Sequence, residues 1–190
     1  MSGKSELKIF DDHPPQVVVD SAYFEDMHPQ GSLESDNIIE FYIPASNTDY
    51  LDLNDTLLTV QVKVVYKNDK EMKSDDKIPP PVPSNFFMYA LFSDVTLSLN
   101  NTVIEGGESL YPYKACMSAL LNLPSDAREF ELKALGCGDN DTRQQWIRES
   151  YPCQLAGALR LDFFSQPKYL IPGVSVRIKM KKSSEGFVLC

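Results

Sequence analysis

This sequence of 190 residues is poor in the side chains that most enzymes and metal sites use. Histidine occurs only as His13 and His28, and both precede the first predicted strand. A metal site on a β scaffold needs several converging ligands, so the sequence does not favour one. Neither H-E-x-x-H nor G-x-S-x-G occurs, which argues against a metalloprotease or a nucleophilic triad. We therefore expect no catalytic, metal-binding or cofactor-binding residues and no enzymatic activity.

Acidic residues form two short clusters, but neither has the pattern of a calcium loop. One cluster consists of Asp49, Asp52 and Asp55, and the other runs over residues 139–141. A calcium loop needs a central glycine and a terminal bidentate glutamate. We interpret both clusters as turns whose side chains bond their own backbone. Gly106-Gly107 is not followed by Lys-Ser/Thr, so it is not a phosphate loop.

Membrane, secretion and nucleic-acid signals are also absent. No apolar run approaches the roughly 20 residues of a membrane span. The N-terminus lacks the apolar region of a secretory signal, so we expect assembly inside a cell, without membrane partners. The net charge of −9 repels phosphate backbones, so we expect no direct nucleic-acid binding. No C-x-x-C pair occurs, and we predict reduced thiols at Cys116, Cys137, Cys153 and Cys190.

What the sequence does contain is the alternating pattern of antiparallel strands. Apolar residues make up 43% of the chain, which is typical of a globular domain. From Leu58 to Tyr66 every second residue is apolar, the period of a strand with one buried face. Similar alternation predicts strands over 38–43, 95–99, 159–164 and 174–181, with a hairpin turn at Asn100-Asn101. Lys179, Lys181 and Lys182 would then lie on a solvated strand edge.

Two helices are predicted in the connections. Over 110–123 the apolar residues recur with helical spacing and fall on one helix face, and Pro112 suits the first turn. A second helix is predicted over 126–135, with Gly136 just beyond its end. Residues 136–157 read as a polar excursion. The residues of the first predicted helix that share a face are Leu110, Tyr113, Met117, Leu120 and Leu121.

These elements predict an all-β fold with short helices in its connections, an antiparallel β-sandwich with a jelly roll as a leading option. Residues 1–36 would form an N-terminal arm and residues 37–190 the jelly-roll domain. The proline-rich loop 67–84 is either a contact with another subunit or a solvated insertion. The predicted core consists of Val60, Val62, Val64, Leu97, Leu99, Leu161, Phe163, Val176 and Ile178.

Several sequence blocks occur together in a recognisable order. They are IEFYIPASNTDYLDLNDTLLTVQVKVV, NFFMYALFSDVTLSLNNTVI, ESLYPYKACMSALLN, and LDFFSQPKYLIPGVSVRIKM followed by FVLC. In this order, and with the D-Y-L-D-L and Y-P-Y-K-A signatures, the chain resembles the hexon-like major capsid protein of Polinton (Maverick) elements and adintoviruses. The resemblance covers residues 38–190.

The resemblance implies a double jelly roll that trimerises into a pseudo-hexagonal capsomer and builds an icosahedral virion. The present chain would supply the first roll, and its partners would be copies of itself and neighbouring capsid subunits. Other interpretations are a penton-like single jelly-roll minor capsid protein, a carbohydrate- or peptide-binding β-sandwich, and an enzyme on a jelly-roll scaffold. The binding module would require Tyr111, Tyr113, Trp146 and Tyr151 to cluster on one surface.

Overall fold

The structure is a computed structural model that describes residues 19–33, 36–67, 69–73, 81–123 and 125–189. Six strands are described: β1 Ile38–Ile43, β2 Leu57–Val62, β3 Phe92–Leu99, β4 Thr102–Glu105, β5 Cys153–Ala158 and β6 Val176–Lys182. The helices are α1 Phe87–Ala90, α2 Tyr111–Asn122, α3 Ser125–Ala134, α4 Asn140–Trp146 and α5 Glu185–Val188. Short 3-10 turns cover Arg148–Ser150 and Phe163–Ser165.

The strands form two antiparallel sheets. The larger sheet has the order β1-β6-β3-β4, and the smaller sheet pairs β2 with β5. In the larger sheet Ile178 of β6 lies between Phe41 of β1 and Leu97 of β3. In the smaller sheet Val60 lies opposite Leu155. The prediction of antiparallel β-structure with short helices in the connections is confirmed.

Alternation in the sequence determines which side of each strand is buried. On β6, Val176, Ile178 and Met180 are buried, whereas Lys179 between them is exposed. Residues of both sheets join one hydrophobic core, because Leu58 and Leu155 of the smaller sheet belong to the same cluster as the β6 side chains. Burial of this apolar surface is the main force that holds the sheets together.

The short helix α1 lies in the middle of this core. All four of its residues are buried, and the helix lies against α2, β3 and β5. Its first two N–H groups donate hydrogen bonds to the carbonyls of Gly136 at 3.5 Å and Leu135 at 3.1 Å. Leu135 and Gly136 directly follow α3, so carbonyls just beyond the end of α3 accept from the N–H groups that the start of α1 leaves open. Helix α1 therefore ties the larger sheet to the connection that leads into β5.

The predicted core is confirmed as a set of core-facing positions. Fully buried members are Val64, Leu97, Leu161, Val176 and Ile178. The other members are partly buried and pack against the same cluster: Val60, Val62, Leu99 and Phe163. The hairpin at Asn100-Asn101 is also confirmed, with positive φ angles of 46° and 66° that suit a tight turn.

The predicted strand over 159–164 is wrong. Within 151–165 the strand is β5, which occupies Cys153–Ala158, and residues 163–165 form a 3-10 turn. The Glu105 carboxylate accepts hydrogen bonds from the backbone N–H groups of Asp162, at 2.9 Å, and Phe163, at 3.1 Å. These N–H groups are therefore used by a side chain rather than by a neighbouring strand. The predicted polar excursion 136–157 likewise contains α4 and β5.

The prediction that the lysines lie on a strand at the edge of a sheet is wrong. Strand β6 pairs with β1 on one side and with β3 on the other. Lys179 and Lys181 project from its outer face, where Lys179 forms an ion pair with Glu40 at 3.6 Å. Alternation shows which face a side chain occupies, but it carries no information on where a strand lies within its sheet.

Parts of two predicted segments lie outside the described residues. Residues 1–18 of the predicted arm are not described, and neither are residues 68 and 74–80 of the proline-rich loop. The predicted helix over 110–123 is observed as α2 and the helix over 126–135 as α3. Within the described residues, none of the helices has the length and apolar character that crossing a membrane requires.

Candidate interaction surfaces

Helix α2 exposes the apolar face that the sequence predicts. We call this face the α2 stripe; its residues, with their exposed fractions, are Leu110 54%, Tyr113 60%, Met117 57%, Leu120 41% and Leu121 76%. The buried side of α2 is instead made by Tyr111, Pro112, Ala115 and Ala119. Alanines let the helix approach β3 and α1 closely, while the longer side chains face outward. An apolar stripe of this kind on a surface helix is typical of a contact site.

Ion pairs hold α2 in this orientation. Lys114 Nζ pairs with the Glu105 carboxylate of β4 and with Asp162 Oδ2 at 2.9 Å. Burial by itself would lower the pKa of Lys114, but hydrogen bonds to Glu105 and Asp162 outweigh it and raise the pKa. The single charged side chain of α2 therefore has two acidic partners, the largely buried Glu105 and the exposed Asp162. The stripe itself carries no charge.

The stripe extends onto the C-terminal helix α5. The rings of Tyr113 and Phe187 meet edge to face, with their centroids 6.0 Å apart. Phe187 is itself 37% exposed. Helix α5 is anchored beside it, because Ser84 Oγ donates a hydrogen bond of 2.6 Å to the Phe187 carbonyl. The ring of Phe187 therefore widens the apolar surface next to Tyr113.

A second apolar surface lies on the described part of the predicted arm. We call it the arm surface; it consists of Val19, Tyr23, Phe24 and Leu33, of which Phe24 is 88% exposed. The arm meets the rest of the chain at Gln30, whose N–H donates a 2.6 Å hydrogen bond to the Glu40 carbonyl on β1. Tyr23 also donates a 3.4 Å hydrogen bond to Asp49. Large aromatic side chains thus stand in solvent on an extended segment.

One aspartate of each acidic cluster accepts a hydrogen bond from a nearby backbone N–H, as predicted. Asp139 caps α4 by accepting a 2.8 Å hydrogen bond from the N–H of Thr142. Hydrogen bonds from the side chain and the backbone of Thr142 lower the pKa of Asp139. In the other cluster, Asp52 accepts from the N–H of Asn54 at 3.0 Å. Among the described residues, no group of three or more His, Cys, Asp or Glu side chains is placed to hold a metal ion.

The four aromatic residues of the binding-module interpretation have different environments. Tyr111 is buried, and its ring meets Tyr89 edge to face. Burial raises the pKa of Tyr111. Tyr113 is exposed in the α2 stripe, Trp146 is half-buried against the core, and Tyr151 is exposed. Tyr111 is therefore a core residue and not part of a surface cluster.

A shallow groove lies beside Tyr151. Its volume is about 450 Å³, and its lining includes Lys63, Glu71, Met72 and Ser150. Lys63 and Glu71 pair with each other at 2.6 Å, and the N–H of Met72 donates to Ser150 Oγ at 2.8 Å. These polar groups thus bind one another. The groove is open and of mixed polarity, which sets it apart from the enclosed apolar pockets that bind small molecules.

The described cysteines are free thiols in protected positions. Cys116, Cys137 and Cys153 form no disulfide, as the sequence predicts for these residues. Burial raises the pKa of each thiol, and for Cys137 to about 12. A thiol with so high a pKa has almost no thiolate at neutral pH, so it is a poor nucleophile and a poor metal ligand. The fourth cysteine, Cys190, lies outside the described residues.

Two comparisons with known proteins identify no relative of this chain. A scan against models of protein families finds no match for this chain. A search of curated proteins finds no significant match either. The α2 stripe and the arm surface are therefore the basis for the functional proposal.

Proposed function

We propose that this chain is a structural subunit of a viral capsid, of the hexon-like type found in Polinton elements and adintoviruses, and that it acts by self-assembly. The observation that carries the proposal is the concentration of exposed apolar side chains on the arm surface and the α2 stripe. Exposed apolar area of this kind costs free energy in water and is recovered when a neighbour covers it. In a shell, copies of the same chain supply that cover.

The order of strand pairing supports a jelly roll as the scaffold. Strand β1 pairs with β6, β2 with β5 and β3 with β4, so the pairs are nested from the ends of the chain inward. Nested pairs are what a long antiparallel hairpin gives when it is rolled into two sheets, here closed by the contact between β3 and β6. An eight-stranded roll would contain one further inner pair.

The missing inner pair accounts for the unequal sheets. In this chain the tight turn at Asn100-Asn101 joins β3 directly to β4. A further pair at this point would add its strands to the smaller sheet, next to β2 and β5. Its replacement by a turn leaves the larger sheet with four strands and the smaller with two. This strand order supports the proposal of a roll that lacks its inner pair.

The arm is suited to bind a neighbouring subunit. Its hydrogen bonds to the rest of the chain are concentrated near Gln30, Leu33 and Tyr23. The rings of Tyr23 and Phe24 nevertheless face solvent, with 71% and 88% of each residue exposed, although the Tyr23 hydroxyl donates to Asp49. Aromatic side chains of this size dominate the energetics of protein interfaces when they are buried. We expect the arm to place them on an adjacent copy, in a trimeric capsomer or between capsomers.

Self-association of the purified chain tests the proposal. Sedimentation velocity over a wide concentration range, with negative-stain microscopy of the fractions, should show oligomers and capsomer-sized particles. The variant Tyr23→Ser/Phe24→Ser should need at least about tenfold higher concentration to associate, because it loses interface anchors. The matched control is Tyr50→Ser, since Tyr50 is 65% exposed outside both surfaces. A chain that stays monomeric at every concentration would contradict the proposal.

A further inference from the structure

The α2 stripe has the spacing of a helix that packs against another helix. Leu110, Tyr113, Met117 and Leu120 follow one another at intervals of three, four and three residues. This is the a/d spacing of a heptad repeat, which places apolar side chains in one straight seam. The described helices and strands leave most of the seam exposed, with 57% of Met117 accessible at its centre. The matching occupant is a second helix with the same spacing.

The distribution of charge indicates that this second helix belongs to another copy of the same chain. The chain carries a net charge of −9, so two copies repel each other over most of their surfaces. The stripe contains no charged side chain, and Lys114 on the same helix is turned toward Glu105 and Asp162. Two copies that meet through their stripes therefore place uncharged side chains opposite each other.

The area of the stripe agrees with a contact between copies. Its five side chains expose on the order of 500 Å², within the roughly 300–600 Å² of the largest apolar patch on a typical monomer. A standard stable interface buries roughly 800 Å² on each partner, so the stripe alone makes a contact of moderate strength. Phe187, against Tyr113, adds to it. Moderate contacts of this kind suit a shell, in which many of them act together.

We propose that the α2 stripe is an isologous interface in which α2 of one copy packs against α2 of a second copy. The inference rests on the proposed function and names one of the contacts through which the subunits associate. In a two-fold arrangement the centre of the seam meets its own counterpart, whether the helices run parallel or antiparallel. Met117 therefore lies next to Met117 of the other copy.

The first test is a charge placed in the α2 stripe, either in the seam at Met117 or beside it at Leu121. Leu121→Glu and Met117→Glu should each raise the dissociation constant of self-association at least about tenfold, because each buries two unpaired carboxylates per contact. Glutamate is a good helix former and both positions are exposed, so circular dichroism should show an intact fold. The matched control is Leu57→Glu, which changes the same residue type at 65% exposure on β2 and should associate like the unmodified chain.

The second test is a disulfide cross-link between position 117 of one copy and position 117 of the other, which the two-fold arrangement places side by side. The variant Met117→Cys should form a disulfide-linked dimer on mild oxidation, whereas Leu57→Cys should give no more dimer than the native cysteines do. Self-association that survives both glutamate variants, or a Met117→Cys chain that cross-links no better than the control, would overturn the α2 contact and leave the capsid proposal standing. If the unmodified chain does not associate at all, both proposals fall.

Discussion

The backbone N–H of Met88 donates a hydrogen bond of 3.1 Å to the carbonyl of Leu135, so the first turn of α1 meets the end of α3. The N–H groups at the start of a helix and the carbonyls at its end have no partner within the helix. Here they satisfy each other, and the partial charges of the two helix ends attract as well. A helix of only four residues is thereby fixed in the centre of the core.

Gly136 makes this junction possible, and its replacement should be costly. Its φ is +82°, and a Cβ there would lie 2.6 Å from Cβ of Phe87. Gly136→Ala should therefore lower the free energy of unfolding by about 2–4 kcal/mol, from backbone strain together with displacement of α1. Urea denaturation measures the loss.

Gly173→Ala is the matched control for this change. Gly173 has nearly the same φ, +85°, but a Cβ there would have no neighbour within 4 Å. Its loss should be limited to the strain of the left-handed backbone, about 1–2 kcal/mol. Equal losses for the two variants would show that α1 moves aside without cost.

Removal of core side chains at the centre of the larger sheet should have a comparable effect. Leu97 is completely buried and lies beside Ile178 in the pairing of β3 with β6. Leu97→Ala should cost about 2–5 kcal/mol, because the lost apolar contacts leave a cavity. Leu57→Ala, on an exposed position of β2, should change stability by less than about 0.5 kcal/mol. A loss below about 1 kcal/mol at Leu97 would mean that this part of the core repacks.

Alternation in the sequence predicts the strands that carry long apolar side chains. Strands β3 and β6 alternate between apolar and polar residues over most of their length, whereas β1 is almost wholly apolar or aromatic, and all three predicted positions agree with the structure to within a few residues. The hairpin turn at Asn100-Asn101 was predictable because asparagine tolerates a positive φ. These features depend on local sequence alone.

Strand β5 was not predictable, because its sequence CQLAGA has few large apolar residues. Gly157 and its neighbours are small since Leu135 of the α3 end packs against this strand. The pattern at Leu159 and Leu161 does indicate burial, and both residues are buried. Their backbone nevertheless leaves the sheet, because the strand ends at Ala158 and Glu105, distant in sequence, binds the N–H groups of the next turn.

The sequence also did not allow us to predict which face of α2 is exposed to solvent. Apolar residues on one helix face normally indicate the side toward the core. The structure places Ala115 and Ala119 there instead, and the longer side chains of the α2 stripe outward. Which face is buried depends on the distance that β3 and α1 leave for the helix. Helical spacing predicts that a contact surface exists, but not that it faces solvent.

Among the ion pairs of the described residues, the pair between Glu105 and Lys114 should contribute most to stability. Glu105 has only 15% of its side chain exposed, and it binds Lys114 as well as two backbone N–H groups. Glu105→Gln keeps the shape but removes the charge, and it should cost about 1–3 kcal/mol. The α2 stripe depends on this anchor, so the variant should also weaken self-association. Urea denaturation and sedimentation measure the two effects.

An exposed pair serves as the control for Glu105. Glu71 pairs with Lys63 at 2.6 Å, but 63% of its side chain is exposed. Ion pairs in water contribute little, so Glu71→Gln should leave thermal unfolding and association nearly unchanged. If both variants behaved alike, the hydrogen bonds from Asp162 and Phe163 to Glu105 would have no special role.

The half-buried thiol of Cys137 should be unreactive while the chain is folded. Burial raises the pKa of Cys137 to about 12, so the thiolate that attacks alkylating reagents is scarce at neutral pH. Iodoacetamide labelling followed by peptide mass spectrometry should show Cys137 modified slowly in buffer and quickly in urea. Rapid labelling of Cys137 in the folded chain would contradict its protected position.

The same thiol should make stability depend on alkaline pH. An unfolded cysteine loses its proton near pH 8.5, whereas folded Cys137 keeps it up to about pH 12, so the folded state binds more protons between these values. The free energy of unfolding should therefore fall as pH rises through this window. Cys137→Ala removes this contribution, so its stability should fall less steeply than that of the unmodified chain between about pH 8 and pH 10. Urea denaturation across that range measures both slopes, and other groups cancel in the comparison. Parallel slopes would mean that Cys137 titrates normally in the folded chain, and hence that water reaches the junction of α1 and α3.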